Sequence, residues 1–394
     1  MAKRRKAVRY MSVDEKMDAA NQDMPVAVYY ALSKDSNEDV RVQVAQNWDM
    51  DPGVLAGMAN DKSVAIRNEI AYNLNTPEEA LVILAHDKNA YVRERVAQNS
   101  NVKPEVLDFL SKDSNAWVRK EVSDNENTRP ETLARLAKDG KVDIRKRVGK
   151  SKNTSINTLR ELAKDKEVVV REAVVFNNNT PEEVLRESSE ETSIKIRRGV
   201  AYNRNTPSEV LVTLAAGSSD LMLRRYLSAN HNTPSEVLAR LALKKDEWSC
   251  KSLAAHQNTP IKSLEKLSKS EYADVRELVS ENENTPVRTL WKLADDANLY
   301  VRCRVVKNPS APDDLVKYIY EKALENDEFE QTLVMRVIKR NVLSETEISA
   351  AVAFFGEAVA QVVRENITVR PNSVLDNILK QKKEKISRKI SRGR

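Results

Sequence analysis

Residues 165–206, DKEVVVREAVVFNNNTPEEVLRESSEETSIKIRRGVAYNRNT, set the plan of the chain. An acid (Asp165, Glu191) stands six places before an arginine (Arg171, Arg197). An asparagine follows six after the arginine (Asn177, Asn203), and a second one leads into Thr-Pro (Asn179-Thr180-Pro181, Asn205-Thr206-Pro207). With the arginine as marker, the plan recurs at Arg41, Arg67, Arg93, Arg119, Arg145, Arg171, Arg197, Arg224, Arg276 and Arg302, and Cys250 takes the place of one arginine. Every step is 26 residues except that from Arg197 to Arg224, which is 27. A fixed period of this size is the signature of stacked supersecondary units, each of which needs its neighbours to bury its apolar face.

Each unit reads as two short antiparallel helices. Thr76, Thr180, Thr206 and Thr233 precede a proline and stand three before Glu79, Glu183, Glu209 and Glu236, the pattern of a capped start for the first helix, A. Helix A then carries an apolar stripe such as Val210, Leu211, Leu214 and Ala215. In the second helix, B, the residues one before, three after and four after the marker (Val92, Val96, Ala97) fall on one side at 100 degrees per residue, with the arginine among them. The fold class expected is all-α, a right-handed superhelical solenoid of about thirteen helix pairs with helix B on the concave side.

A charge on an apolar face is costly unless paired, and the acid is supplied at constant spacing. Arg67, Arg93, Arg119, Arg145, Arg171 and Arg197 are therefore read with Asp61, Asp87, Asp113, Asp139, Asp165 and Glu191 as a structural ladder, the arginine meeting its own acid or its neighbour's. The asparagines six and eight after the marker read as turn residues that tolerate left-handed backbone and whose short amide can bond backbone across a tight turn.

The period implies one elongated array rather than two or three globular domains. We expect a basic arm at 1–9, a regular array at 10–312, degenerate repeats at 313–379 and a basic tail at 380–394. The net charge of +6 resides in these ends: five bases and no acid lie in residues 1–9, and eight bases against Glu384 in 380–394. Arg4, Arg5, Lys382, Lys383, Arg388 and Arg392 are the candidate binding residues there. No apolar run is long enough to span a membrane and no signal-peptide core follows the N-terminus, so a cytoplasmic monomer is expected. Two cysteines, Cys250 and Cys303, suit a reducing compartment and form no disulfide or zinc pattern.

The solvent side of helix B carries the candidate interaction residues. One after the marker stand Lys120, Lys146, Glu172, Arg198, Arg225 and Lys251, with Arg147 and Lys150 adjacent. Tyr91, Trp117, Trp248 and Tyr300 lie two before their markers, Tyr226 two after, and Tyr72, Phe176 and Tyr202 five after; these are eight of only 20 aromatic residues, which marks a row rather than scatter. Bases that meet phosphates beside rings that stack are the ingredients of a nucleic-acid groove, DNA being favoured over RNA; a protein-binding groove is the alternative. No catalytic constellation stands out. His86, His231 and His256 have no metal-ligand spacing and no glycine-rich phosphate loop is present, so an enzyme, a metal and a cofactor are not expected.

The text Asn205-Thr206-Pro207 through Leu211, Leu214 and Ala215, with Val200-Ala201-Tyr202-Asn203, resembles the leucine-rich-repeat-variant family. The acid and arginine six apart resemble the broader HEAT-like class, where such pairs form an inter-repeat ladder. The resemblance covers about residues 25–312. Some leucine-rich-repeat-variant proteins carry an N-terminal cysteine cluster for an iron–sulfur centre; no Cys precedes Cys250 here, so the resemblance implies no such cofactor. A HEAT-like group of DNA alkylation-repair glycosylases supplies a further alternative, without a motif that matches this chain.

Overall fold

The computed structural model describes Val8 and residues 10–216, 219–243, 246–325 and 331–366. It divides into two compact units, Met1–Thr206 and Pro207–Arg394, a boundary that falls inside the stretch 10–312. Among the described residues all regular structure is helical. The first unit includes a helix, Val13–Asn21, held at its start by a reciprocal box between Ser12 and Glu15, followed by seven A/B pairs from Val26–Leu32 and Glu38–Gln46 to Glu182–Ser189 and Ile194–Tyr202. The second contains six pairs, from Ser208–Ala215 and Leu221–Ala229 to Glu345–Phe355 and Glu357–Asn366. Each unit is an all-α repeat solenoid.

The short helices, mostly seven residues for A and nine for B, are marginal alone and are held by their neighbours. The core is a continuous strip in which the leucines of helix A (Leu107, Leu133, Leu159, Leu185) meet the residues one before and three after the marker in helix B (Val92 and Val96, Val118 and Val122, Val170 and Val174), all fully buried. Gly199 lies on helix B where a Cβ would collide with Val175 Cγ2 and meet the Phe176 ring at 2.9 Å. The absence of a side chain lets two successive B helices close up around Phe176.

Two expectations about the turns are corrected. Thr76, Thr180, Thr206 and Thr233 do not cap helix A, which starts at the following proline without a side-chain cap. The buried threonine turns the other way and donates to the carbonyl six residues back, Thr76 to Ile70 at 2.6 Å and Thr180 to Val174 at 2.6 Å, so it closes the preceding helix B. The asparagines likewise do not adopt left-handed backbone; the only described non-glycine residue with positive φ is Asn341. They join repeats instead. Asn99 Nδ2 donates to the carbonyls of Ala71 and Asn73, both at 3.0 Å, while its Oδ1 accepts from Asn101 N at 2.8 Å. Asn127, in the second series, reaches the carbonyls of Ser100 and Val102.

Candidate interaction face

The face is built from the loop between helices A and B outward. Arg93 Nη1 donates at 2.7 Å to the carbonyl of Asp87, its own loop, while Nε and Nη2 grip the carboxylate of Asp113, in the next loop, at 2.5 and 2.9 Å. The same fork joins Arg41 to Asp61, Arg67 to Asp87, Arg119 to Asp139, Arg145 to Asp165 and Arg171 to Glu191. Each arginine thus touches both of the acids the spacing offers, through the carbonyl of the nearer and the carboxylate of the farther. Burial alone would raise the pKa of Asp87, but the hydrogen bonds from Arg67 and from Asn89 N outweigh it and hold the carboxyl below its ordinary value.

Arg197 departs from this series: among the described residues it makes no such fork, because the position twenty further on is Gly217, which has no carboxylate. In the second unit Arg276 forks to Asp296, but the buried Nε of Arg224, twenty before Lys244, has no partner among the described residues.

The ladder orients helix B so that the rows two before and five after the marker face outward and the rows one and two after it lie half-buried between successive B helices. Asn89 and Asn115 cap their helices by accepting from Tyr91 N and Trp117 N, both at 2.8 Å, which sets these rings in the first turn, pointing away from the core. Tyr91 is 73% exposed and Trp117 60%. Tyr72, Phe176, Tyr202, Trp248 and Tyr300 are exposed too, whereas Tyr226 is half-buried. Across repeats the structure brings together Trp48 and Tyr72 (ring centroids 5.6 Å apart), Arg95 over Tyr72 (4.8 Å), and Phe176 and Tyr202 (5.6 Å).

The basic stripe is largely compensated. Lys120 lies 3.3 Å from Glu121 and 4.5 Å over the Trp117 ring; Arg147 pairs with Asp124 and Asp143; Arg225 pairs with Asp246 at 2.8 Å; Lys251 sits between Asp274 and Glu247. The carboxylates of Asp274 and Glu247 push the Lys251 pKa up to about 12. Among the described residues Lys146 and Lys150 carry no ion pair. Arg4, Arg5, Lys382, Lys383, Arg388 and Arg392 lie outside the described residues.

Charge on this face of the first unit is also divided. In the four repeats marked by Arg41, Arg67, Arg93 and Arg119, the rows hold five acids (Asp39, Glu69, Glu94, Glu121, Asp124) against Arg95 and Lys120. In the three marked by Arg145, Arg171 and Arg197 the ratio reverses, with Lys146, Arg147, Lys150, Lys195 and Arg198 against Asp143 and Glu172. Glu94 makes no ion pair or hydrogen bond among the described residues, and burial, with Glu121 nearby, pushes its carboxyl pKa up against the opposing pull of Arg95 and Lys120. Attention to aromatics alone misses the aliphatic members of the face: Val64, Val168, Val169 and Ile194 are exposed two or three before their markers, in or beside the row of Tyr91 and Trp117. Reading that row for all apolar residues would have found them.

No protein-family model matches the chain, and no curated protein does. Among solved structures it is similar to a leucine-rich repeat variant with a novel repetitive motif (21% identity over 58% of this chain and 88% of that one, TM-score 0.40). It is similar to an engineered protein (17%, 92% and 99%, TM-score 0.24) and to the karyopherin Kap121p bound to Ste12p (11%, 92% and 48%, TM-score 0.34). The chain spans about half of Kap121p.

Proposed function

We propose that this chain is a non-enzymatic helical-repeat scaffold that holds a protein partner on the helix B face. The observation that carries this reading is the combination of exposed rings and aliphatic side chains in or beside one row with a basic stripe of which the larger part is occupied by the chain's own carboxylates. Rings presented in a row desolvate an apolar partner and act as anchors. A phosphate backbone draws its affinity from uncompensated bases, and four of the seven in the stripe (Lys120, Arg147, Arg225, Lys251) would have to give up a carboxylate to provide it.

Two measurements on the full chain decide between the partners. Peptides selected by phage display against the wild-type chain should lose binding to the Tyr91→Ser/Trp117→Ser variant. Binding to duplex and single-stranded DNA over a salt series should be weak and indifferent to Lys120→Ala, Lys146→Ala, Arg198→Ala and Arg225→Ala. Tight DNA binding that falls with these four substitutions would reverse the assignment in favour of nucleic acid.

A further inference from the structure

We infer that the partner of the unit Met1–Thr206 is a polypeptide segment of split charge, its basic end lying over the first four repeats and its acidic end over the last three. The inference rests on the protein-partner reading and adds the chemistry of the partner and its direction.

The face offers three things to such a segment. Over the first four repeats, acids outnumber bases, and Glu94, one turn from the exposed Tyr91 ring on the same helix, is a half-buried carboxylate that makes no ion pair or hydrogen bond among the described residues, Arg95 and Lys120 acting on it only from farther off. A lysine or arginine from a partner would supply a directly paired counter-charge and lie against a ring face, both favourable where water is thinned. Over the last three repeats, Lys146 and Lys150 make no ion pair among the described residues and take the acidic end. Between the charged rows runs the apolar row, Tyr91 and Trp117 on one side and Val169 on the other, to seat the segment's own apolar residues. The chain's Arg147–Asp124 pair marks the seam where the sign changes.

A partner of one sign meets repulsion over one half of the face wherever it lies. This disfavours nucleic acid along the whole unit as much as it disfavours a purely basic or purely acidic peptide. Six steps of roughly 10 Å between packed helices match an extended segment of about eighteen residues.

The test uses the full chain and three synthetic peptides of equal length and equal apolar content: a lysine block followed by a glutamate block, lysine throughout, and glutamate throughout. The block peptide should bind at least about tenfold more tightly than either single-sign peptide, and the gain should shrink with salt. Glu69→Lys/Glu94→Lys and Lys146→Glu/Lys150→Glu should each weaken the block peptide by about tenfold, and the chain carrying all four changes should recover most of the loss by taking the peptide in the opposite direction. That recovery also shows that the pairwise variants are folded. A benzophenone at the lysine end should crosslink within 38–124 in the wild-type chain and beyond 142 in the fourfold variant.

Equal affinity for the block and single-sign peptides, or crosslinks independent of the charge changes, overturns the inference. If Tyr91→Ser/Trp117→Ser weakens all three peptides while the charge changes do nothing, the protein-partner reading stands and the split-charge inference falls. If no peptide binds and duplex DNA does, the protein-partner reading falls as well.

Discussion

Arg145 and Asp165, twenty residues apart, lie side by side with Nε 2.6 Å from Oδ2 and Nη2 3.0 Å from Oδ1, while Arg145 Nη1 holds the carbonyl of Asp139 at 2.9 Å. One guanidinium thus fastens two successive loops, and Arg145 is only 8% exposed. Arg145→Ala strands the Asp165 carboxylate in a largely buried loop and should cost about 2–4 kcal/mol, whereas Lys146→Ala, one residue on, should cost less than about 0.5. Urea titrations compare the two. Equal costs would mean that the fork is a surface pair of little energetic consequence.

The asparagine series should carry comparable weight without charge. Asn99 is 1% exposed and makes three hydrogen bonds, two of them to the preceding repeat. Asn99→Ala leaves buried backbone groups without that partner, at a cost of about 2 kcal/mol or more, while Asn101→Ala, whose bond to the Leu74 carbonyl lies in exposed surroundings, should cost about 1 or less. The denaturation midpoints of the two variants, read at equal m-value, check the order.

Where the marker arginine is lost, its acid is lost too: Cys250 stands in the arginine position and Ser270 twenty residues later. Cys250 is 7% exposed, so Cys250→Arg alone would bury a guanidinium without the fork's carboxylate and should destabilise by about 1–3 kcal/mol. Adding Ser270→Asp should restore the fork, with a favourable coupling of about 2 kcal/mol in a double-mutant cycle. Stabilisation by the single arginine would show that carbonyl contacts, not the carboxylate, dominate the rung.

The period, the helix pairs and the core positions of helix B were legible because each depends on contacts within one repeat or with the next, and these recur in register. The ladder was legible as a pairing but not in its geometry, since spacings of six and twenty are equally constant and both turn out to be used, one by a carbonyl and one by a carboxylate. Thr76 was misread because Thr-Pro-x-Glu fits a helix start as well as it fits a threonine closing the helix before it. The charge balance of the basic stripe was hidden for a different reason. Arg147 meets Asp124 from the neighbouring helix and Lys251 meets Asp274 in the same way, and no one-dimensional reading of one row shows its neighbour's charge.

His256 provides a pH-dependent test confined to the second unit. It occupies the place of the asparagines Asn230 and Asn282, is 6% exposed, and imitates them: Nε2 lies 2.8 Å from the Asn230 carbonyl and Nδ1 accepts from Asn258 N at 3.0 Å. These roles require the neutral ring with its proton on Nε2. Burial lowers the His256 pKa, the bond to the Asn230 carbonyl opposes this, and His231, with ring centroids 6.2 Å apart, adds to the lowering. A folded pKa below the unfolded value means that the unfolded chain binds the proton more readily, so stability is full above about pH 6.5 and is lost as the pH falls from there through the folded value. The rung carboxylates act in a separate window. For Asp296, burial opposes ionisation but the hydrogen bonds from Arg276 outweigh it, so its contribution is lost only below about pH 4. Hydrogen exchange between about pH 7 and pH 5, corrected for intrinsic rates, should therefore show amides around 230–258 losing protection while the rungs of the first unit keep theirs. His256→Asn should abolish the step, because an asparagine makes both bonds at either pH. A step that survives this substitution would assign the pH response to another group.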